Sequence, residues 1–254
     1  MSLLQVEGLT KAFGGVRAVA EVSFAVEKGT IHSVIGPNGA GKTTLFNLVT
    51  GVYTPTSGKV SLDGKDLTAL STSARAALGM QRTFQNLQIF FNMSAIENVM
   101  VGRHLHLGTG LLASLLGLPR IRRETAQARE RAAELMRQVG LEKWLDAEAD
   151  AMPYGALKRL EIARALAAEP KLLLLDEPAA GLNPKETAEI DELIRDIARS
   201  GVTVVLVEHD MKLVMNVSDR ILVLDYGRKL AEGTADEVRR NPDVIKAYLG
   251  EGAA

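Results

Sequence analysis

The chain has 254 residues, of which 46% are hydrophobic and none is cysteine, so it can bury a sizeable core and offers no disulfide, thiolate metal site or thiol nucleophile. Its 30 basic and 31 acidic residues leave a net charge of −1, which excludes a global electrostatic field for nucleic acid or an anionic membrane. The first residues lack the basic region of a secretory signal, and the most apolar interval, residues 111–118, is far shorter than the ~20 residues that span a bilayer. We therefore expect a soluble protein of the cytoplasm.

Apolar runs separated by tight turns predict a largely β structure for about the first 70 residues. From about residue 83 the pattern becomes helical. Ser94 and Glu97 form a capping box that opens one helix, and a stripe of apolar residues predicts a longer helix over residues 124–139. The predicted strands of the first part are residues 3–9, 22–26, 31–35 and 60–62.

The C-terminal part returns to strands. A helix is predicted between the first two of them, with Asn183 as N-cap, Pro184 at the first helical position and Glu186 three residues after the cap. Strand, helix and strand in this order indicate an α/β fold with a parallel sheet. The predicted strands are wholly apolar, as is typical of strands covered on both faces, and comprise residues 172–175, 202–207 and 221–224.

The helical middle of the chain is predicted to be an insertion, because no internal repeat, low-complexity tract or linker separates it from the rest. Residues 1–84 and 159–254 are expected to form an α/β core that includes an N-terminal antiparallel β portion. Residues 85–158 are expected to form a helical subdomain.

A glycine-rich segment directly after the strand that ends at Ile35 predicts a phosphate-binding loop. It matches G-x-x-x-x-G-K-[ST] and precedes a helical pattern that Gly51 closes. Glycines let backbone N–H groups converge on phosphate oxygens, Lys42 reaches the terminal phosphates, and the Thr43 hydroxyl ligates Mg²⁺. A glycine-rich turn without a ligand is the alternative. The predicted nucleotide-binding residues are Gly36, Pro37, Asn38, Gly39, Ala40, Gly41, Lys42, Thr43 and Thr44.

Acidic residues end the buried strand 172–175, where ligands of open α/β sheets gather. Asp176 is suited to hold Mg²⁺ through water, and Glu177 to polarise an attacking water as general base. His209 ends the strand over residues 202–207 and is placed to contact a γ-phosphate. For each of these three residues the alternative is purely structural: a polar side chain that ends a strand and binds no ligand.

The order of these motifs resembles that of the ATP-binding subunits of ABC transporters. The resemblance covers the whole chain, and residues 154–166 are its distinctive part because unrelated phosphate-loop enzymes lack this segment. Residues 97–104, 179–184 and 219–227 resemble more narrowly the LivG-type ATPases of branched-chain amino-acid importers, a pattern that amide and urea importers largely share. The resemblance implies a phosphate-loop NTPase core of the ABC ATPase type, with the signature segment in the helical subdomain.

The resemblance also implies roles for single residues. Phe13 stacks on adenine, although a phenylalanine taken alone is more typical of a core. Gln85 senses the γ-phosphate and ligates Mg²⁺, and His209 is the switch histidine. The family signature Leu-Ser-Gly-Gly-Gln falls on residues 152–156. Only its second glycine is retained, so backbone donors and the N-terminus of a helix at Leu157 are expected to replace the serine contact. The signature residues, which act on the partner's nucleotide, are Tyr154, Gly155 and Ala156, and the D-loop is Ala180, Gly181, Leu182 and Asn183.

The implied function is ATP binding and hydrolysis that drives an ABC importer, with ATP and Mg²⁺ as ligands. The implied partners are a second ABC ATPase subunit, in a homodimer or heterodimer, integral-membrane permease subunits and, indirectly, a solute-binding protein. The permeases hold the subunit at the cytoplasmic face of the cell membrane. Phe90 and Phe91 fall where the family's ATPase meets a permease coupling helix. The alternative is that the two side chains are half-buried members of the core.

Several other functions stay open on the sequence. They are an amide or urea importer, a lipid or polysaccharide exporter, a cytosolic ABC ATPase of DNA repair or translation, and a regulator that binds nucleotide without hydrolysis. The repair and translation proteins typically carry a long coiled coil or two phosphate loops, which this sequence lacks. The arginines between residues 120 and 131 alternate with Glu124 and Glu130, which favours a solvated helix face over a nucleic-acid surface.

Overall fold

The computed structural model describes residues 2–106 and 119–249. By its internal contacts the chain divides into two compact units, the first formed by Met1–Arg82 with Lys171–Ala254 and the second by Thr83–Pro170. Residues 111–118, the most apolar interval, and the side chains of Arg120 and Arg122 lie outside what is described. Within the described ranges, no helix has both the length and the apolar character that crossing a membrane requires.

The strands follow the predicted pattern and add to it. The structure confirms the strand over residues 31–35 and the three apolar strands near the C-terminal end. The described strands are β1 (Ser2–Phe13), β2 (Val16–Glu27), β3 (Ile31–Ile35), β4 (Ser57–Leu62), β5 (Lys65–Asp66), β6 (Met80–Arg82), β7 (Leu172–Asp176), β8 (Thr203–Val207), β9 (Arg220–Asp225) and β10 (Arg228–Gly233).

These strands form two sheets in the first unit. The smaller sheet is antiparallel, with the order β2-β1-β4-β5, and confirms the predicted N-terminal β portion. The larger sheet has the order β10-β9-β3-β8-β7-β6 and is parallel except for β10. β1 and β2 extend beyond the predicted runs because they pair with each other from end to end, and backbone pairing tolerates polar side chains on the exposed face.

The helices lie in both units. Asn183, Pro184 and Glu186 open one of them as predicted, with the full capping box present. The described α-helices are α1 (Lys42–Val49), α2 (Thr72–Ala77), α3 (Ala95–Gly102), α4 (Pro119–Gln138), α5 (Tyr154–Leu166), α6 (Pro184–Arg199), α7 (Met211–Val217), α8 (Ala235–Arg240) and α9 (Pro242–Leu249).

The main hydrophobic core of the first unit combines both sheets with α1. Leu45, Phe46, Leu48 and Val49 of α1 are almost fully buried together with apolar residues of β1, β4, β7 and β8. Burial of this apolar face fixes the axis of α1 relative to β3. The loop between β3 and α1 is therefore held at both ends by buried elements.

The second unit packs α3, α4 and α5 against one another. The capping box of Ser94 and Glu97 is present at the start of α3, as predicted. The predicted stripe on α4 is buried, since Leu135 and Met136 are almost inaccessible to solvent. Gly102 permits the close approach of α3 to α5, because any side chain there would collide with the carbonyl oxygen of Arg164.

Candidate functional site

The loop between β3 and α1 has the shape that its sequence predicts. Gly36 and Gly41 have φ angles of 154° and 98°, and a side chain at either position would collide with the carbonyl oxygen of Leu224 or of Ala18. These positions therefore accept only glycine. Lys42 Nζ donates to the carbonyl oxygens of Gly36, at 2.6 Å, and of Pro37, at 2.9 Å. The ammonium group thus lies over the loop.

The N-terminus of α1 faces the same loop. Gly41 is its N-cap, and among the described residues no side chain caps it and no acidic residue lies in its first turn. The first backbone bond of the helix runs from Leu45 N–H to Gly41 oxygen at 2.8 Å, so the earlier amides point out of the helix. Asn38, Gly39 and Thr43 are exposed beside them. This end of α1 carries partial positive charge and is a suitable place for an anion.

The two carboxylates at the end of β7, those of Asp176 and Glu177, have different surroundings. Asp176 is buried and forms an ion pair with Arg82, 2.6 Å between Oδ2 and Nη2. Glu177 has a φ of 48°, which ends the strand, and its side chain is half-buried. Its own N–H still donates to the Val207 carbonyl at 2.9 Å. Left-handed backbone at a non-glycine residue is a strained state that occurs often at functional sites.

His209 lies near Glu177 at the end of β8. The distance from His209 Nδ1 to Glu177 Oε2 is 3.9 Å, and that to Glu208 Oε2 is 3.6 Å, both too long for a hydrogen bond. The imidazole is 66% exposed, so it can reorient toward a ligand. The first unit therefore brings together two of the predicted catalytic residues.

The segment from Ala180 to Asn183 forms a tight turn before α6. Ala180 N–H donates to the Glu177 carbonyl and Leu182 N–H to the Ala179 carbonyl, each at 3.2 Å. Gly181 has a φ of 79°, and Asn183 accepts the N–H groups of Lys185 and Glu186 at 3.0 Å. The predicted cap is confirmed, and the turn is tied directly to the backbone of Glu177.

Phe13 lies at the end of β1 and is 45% exposed, which contradicts placing it in the core. Its ring meets that of Tyr53 edge to face, with 5.3 Å between centroids. Lys11 Nζ lies 5.1 Å from the Phe13 centroid. An exposed aromatic held at its edge is able to stack on a planar ligand.

Gln85 and the signature residues belong to the second unit. Gln85 is exposed, and its carbonyl accepts a long hydrogen bond of 3.5 Å from Lys158 Nζ. The adjacent N–H of Phe84 donates to buried Glu161 at 3.4 Å, and burial raises the pKa of the Glu161 carboxyl. Two residues of α5 thus bind the backbone of this segment: Glu161 at Phe84 and Lys158 at Gln85.

The signature helix begins earlier than predicted. α5 starts at Tyr154 and not at Leu157, because the Pro153 carbonyl already accepts the N–H groups of Ala156, at 2.9 Å, and Leu157, at 3.0 Å. The amides of Tyr154 and Gly155 precede these bonds. Among the described residues no side chain caps α5, and no acidic residue lies in its first turn.

Phe90 and Phe91 are 43% and 50% exposed, so they form an apolar surface and not part of a core. The Phe90 backbone is held on both sides by buried Asn98, which accepts its N–H at 2.9 Å and donates to its carbonyl at 3.0 Å. The guanidinium of Arg164 lies 5.5 Å from the Phe90 ring centroid. The Phe90 ring is therefore presented on a backbone that Asn98 holds, and Phe91 follows it directly in sequence.

Comparison with protein families identifies the chain. A family model described as ABC transporter matches residues 19–180. The chain belongs to the ABC transporter family. A second model, described as branched-chain amino acid ATP-binding cassette transporter, matches residues 228–254 of this ABC ATPase.

Relatives and solved structures agree with this assignment. The high-affinity branched-chain amino acid transport ATP-binding protein BraF of Pseudomonas aeruginosa is 50% identical, over 98% of both chains. The lipopolysaccharide export ATP-binding protein LptB of Haemophilus influenzae is 34% identical, over 99% of this chain and 98% of its own. An ATP-binding cassette of an ABC transporter, solved in its ADP conformation, superposes with a TM-score of 0.86 at 33% identity and covers 98% of this chain and 99% of that one.

Sequence reasoning missed two polar residues of this ABC ATPase. Glu208 is almost fully buried and accepts the N–H groups of Ala179 and His209, both at 3.0 Å. It thereby joins the turn after β7 to the turn after β8. The second missed residue is Arg82, which forms the ion pair with Asp176. Both stand beside motif residues in the sequence, but only the fold shows what they contact.

Proposed function

We propose that this chain is the ATP-binding and ATP-hydrolysing subunit of an importer for branched-chain amino acids. The observation that carries the proposal is its 50% identity, over 98% of its length, to the corresponding transport protein of Pseudomonas aeruginosa. The match of residues 228–254 to the branched-chain amino acid cassette model agrees with it. The geometry of the phosphate loop and of the ends of β7 and β8 supports the chemistry.

Nucleotide binding is assigned to residues 36–44 and Phe13. Amides of the loop and of the first turn of α1 donate to phosphate oxygens, where the helix dipole adds to the attraction. Lys42 exchanges its two carbonyl acceptors in the loop for the terminal phosphates, a stronger charge-assisted contact. The exposed Phe13 ring stacks on adenine.

Hydrolysis is assigned to Glu177 with His209 and Gln85. Glu177 takes the proton of the attacking water as general base, and its carboxylate lies 3.9 Å from His209 Nδ1. His209 donates to the γ-phosphate, and Gln85 senses it. Phosphoryl transfer to water depends mainly on positioning and on charge neutralisation, so these residues act chiefly by orientation.

The donor set fits Mg²⁺. Among residues 2–106 and 119–249 no cluster of three or more carboxylate or histidine side chains could cage a metal ion. Mg²⁺ typically binds one or two protein groups and completes its shell with phosphates and water. Thr43, Asp176 and Gln85 offer a hydroxyl, a carboxylate and an amide of this kind. When bound, Mg²⁺ neutralises charge on the phosphates.

A second ATPase subunit completes the site. We assign the amides of Tyr154 and Gly155 to the γ-phosphate of the partner's nucleotide, since the N–H of Ala156 is already bonded to Pro153. Ala180, Gly181, Leu182 and Asn183 join the two sites, because their turn is bonded to the backbone of Glu177. The partner is a second copy of this chain or a related ATPase.

The cargo passes through other subunits. Integral-membrane permeases hold the ATPase at the cytoplasmic face of the cell membrane, and a solute-binding protein delivers the amino acid. The exposed rings of Phe90 and Phe91 seat the coupling helix of a permease, because an apolar patch on a rigid backbone loses little entropy on docking.

Reconstitution of the complete transporter in vesicles tests the proposal. We expect ATP-dependent uptake of labelled leucine that excess isoleucine or valine suppresses and that urea and short amides leave unchanged. A Glu177→Gln complex in parallel vesicles controls for passive entry. ATP-dependent uptake of urea or an amide in place of leucine would assign the chain to an amide or urea importer, and outward movement of a lipid would reject import.

A further inference from the structure

Arg82 joins Asp176 to the helix that begins at the phosphate loop. Its Nη2 donates to Asp176 Oδ2 at 2.6 Å, and its Nη1 donates to Asn47 Oδ1 at 2.6 Å and to Thr50 Oγ1 at 3.3 Å. Asn47 lies on α1, and Thr50 is its C-cap. Arg82 therefore bridges the end of β7 and the helix whose first residue is Lys42.

The bridge is shielded from solvent. The side chains of Arg82 and Asp176 are only 8% and 7% exposed. The guanidinium also lies against the ring of Phe46, 5.5 Å from its centroid. The Asp176 carboxylate therefore faces a positively charged guanidinium at 2.6 Å.

We infer that Arg82 is a positioning residue for Asp176 and that its guanidinium competes with the divalent cation for this carboxylate. The inference rests on the proposed place of Asp176 in the magnesium site. A divalent cation held by Asp176 would face this guanidinium, and at a separation of about 6 Å their repulsion would weaken metal binding about tenfold, even at the dielectric constant of water. Arg82 thus fixes the direction of the carboxylate before the metal binds and lowers the affinity for the metal afterwards.

The same contacts make the exchange feasible. If Asp176 turned to a bound metal ion, Arg82 would keep Asn47 and Thr50 as acceptors, so its charge would not be left without a hydrogen bond. The weakened affinity would allow Mg²⁺ to leave with the product.

The test is the Mg²⁺ affinity of the complex between the full chain and ADP, measured by calorimetry in wild type and in Arg82→Gln. The glutamine amide keeps hydrogen-bonding capacity and removes the charge. We expect half-saturation at an Mg²⁺ concentration about tenfold lower in the variant. We also expect the variant to unfold at a lower temperature in EDTA and to recover on addition of Mg²⁺ and ADP. Equal or weaker Mg²⁺ affinity in the folded variant overturns the inference.

Asp176→Asn is the matched control. In that background Arg82→Gln is expected to raise Mg²⁺ affinity less than it does in wild type, because competition for the carboxylate is gone and only charge repulsion remains. An equal gain in both backgrounds would overturn the competition. If Asp176→Asn alone leaves Mg²⁺ affinity unaltered, the metal assignment under the proposed function is wrong, and the inference fails with it. Should Arg82→Gln not fold, Arg82→Met replaces it, because methionine also removes the charge. The same gain in Mg²⁺ affinity is expected, and no gain overturns the inference.

Discussion

The N-termini of α1 and α5 are both assigned to bind phosphate, but they differ in the number of other groups that could contact an anion. Neither has a capping side chain among the described residues or an acid in its first turn. The first adds a loop with left-handed glycines and an ammonium group over it. The second adds only a proline, and its Ala156 N–H is already bonded. The α1 end should bind nucleotide alone, whereas the α5 end should act only on nucleotide that another subunit holds.

Glu177→Gln has the largest expected effect, because it removes chemistry and leaves both phosphate contacts intact. General bases contribute roughly 10²–10⁴-fold, so we expect turnover to fall by about that factor. Binding of ATP with Mg²⁺ should persist, and the variant should accumulate as an ATP-bound dimer on a sizing column. Steady-state ATPase measurements check the first point. Unchanged turnover would exclude Glu177 as the base.

Gly155→Asp breaks the α5 end alone. It places a carboxylate beside the partner's γ-phosphate, so we expect loss of ATP-dependent dimers and of most turnover. The affinity of the single subunit for ATP should stay within about twofold of wild type, since Gly155 and the phosphate loop belong to different compact units, and sites without shared partners rarely couple by more than ~0.5 kcal/mol. Calorimetry and sizing columns measure the two quantities. A Gly155→Asp homodimer as active as wild type would contradict the assignment in trans.

Lys42→Ala breaks the α1 end. A hydrogen bond to a charged group contributes about 1.5–3 kcal/mol, so ATP affinity should fall by roughly 10- to 100-fold. Calorimetric titration with ATP checks this, with Lys11→Ala as a control that removes a lysine near the Phe13 ring and not in the loop. Near-normal affinity in Lys42→Ala would remove the loop from the mechanism.

Pro153→Ser, which tests the missing cap of α5, has the smallest expected effect. Pro153 has φ −68° and ψ 156°, close to the −65° and 162° of Ser94, whose hydroxyl caps α3. A serine there is expected to cap α5 and to stabilise it by about 1 kcal/mol. Denaturant unfolding measures the gain, and the ATP affinity of the single subunit should not change. Destabilisation would show that Pro153 is needed for the start of α5.

The elements that local pattern controls could be predicted, and those that depend on distant contacts could not. The phosphate loop, the cap at Asn183 and the buried strands follow from residues within a few positions of each other. Arg82 and Asp176 are 94 residues apart in sequence, and no local pattern joins them. β6 and β10 are short or polar, so only their pairing partners reveal them as strands. The roles of the site residues themselves stay predictions.

A composite site, in which one subunit holds the nucleotide and the other supplies the signature amides, can be tested by mixing two impaired variants. A dimer of Lys42→Ala with Gly155→Asp retains one intact loop and one intact α5 end, and in the proposed arrangement these face the same nucleotide. ATPase activity of the mixture is measured against each variant alone at the same total concentration. With a composite site, the mixture is expected to be more active than either variant alone. A mixture no more active than the separate variants, although mixed dimers form, would contradict the claim.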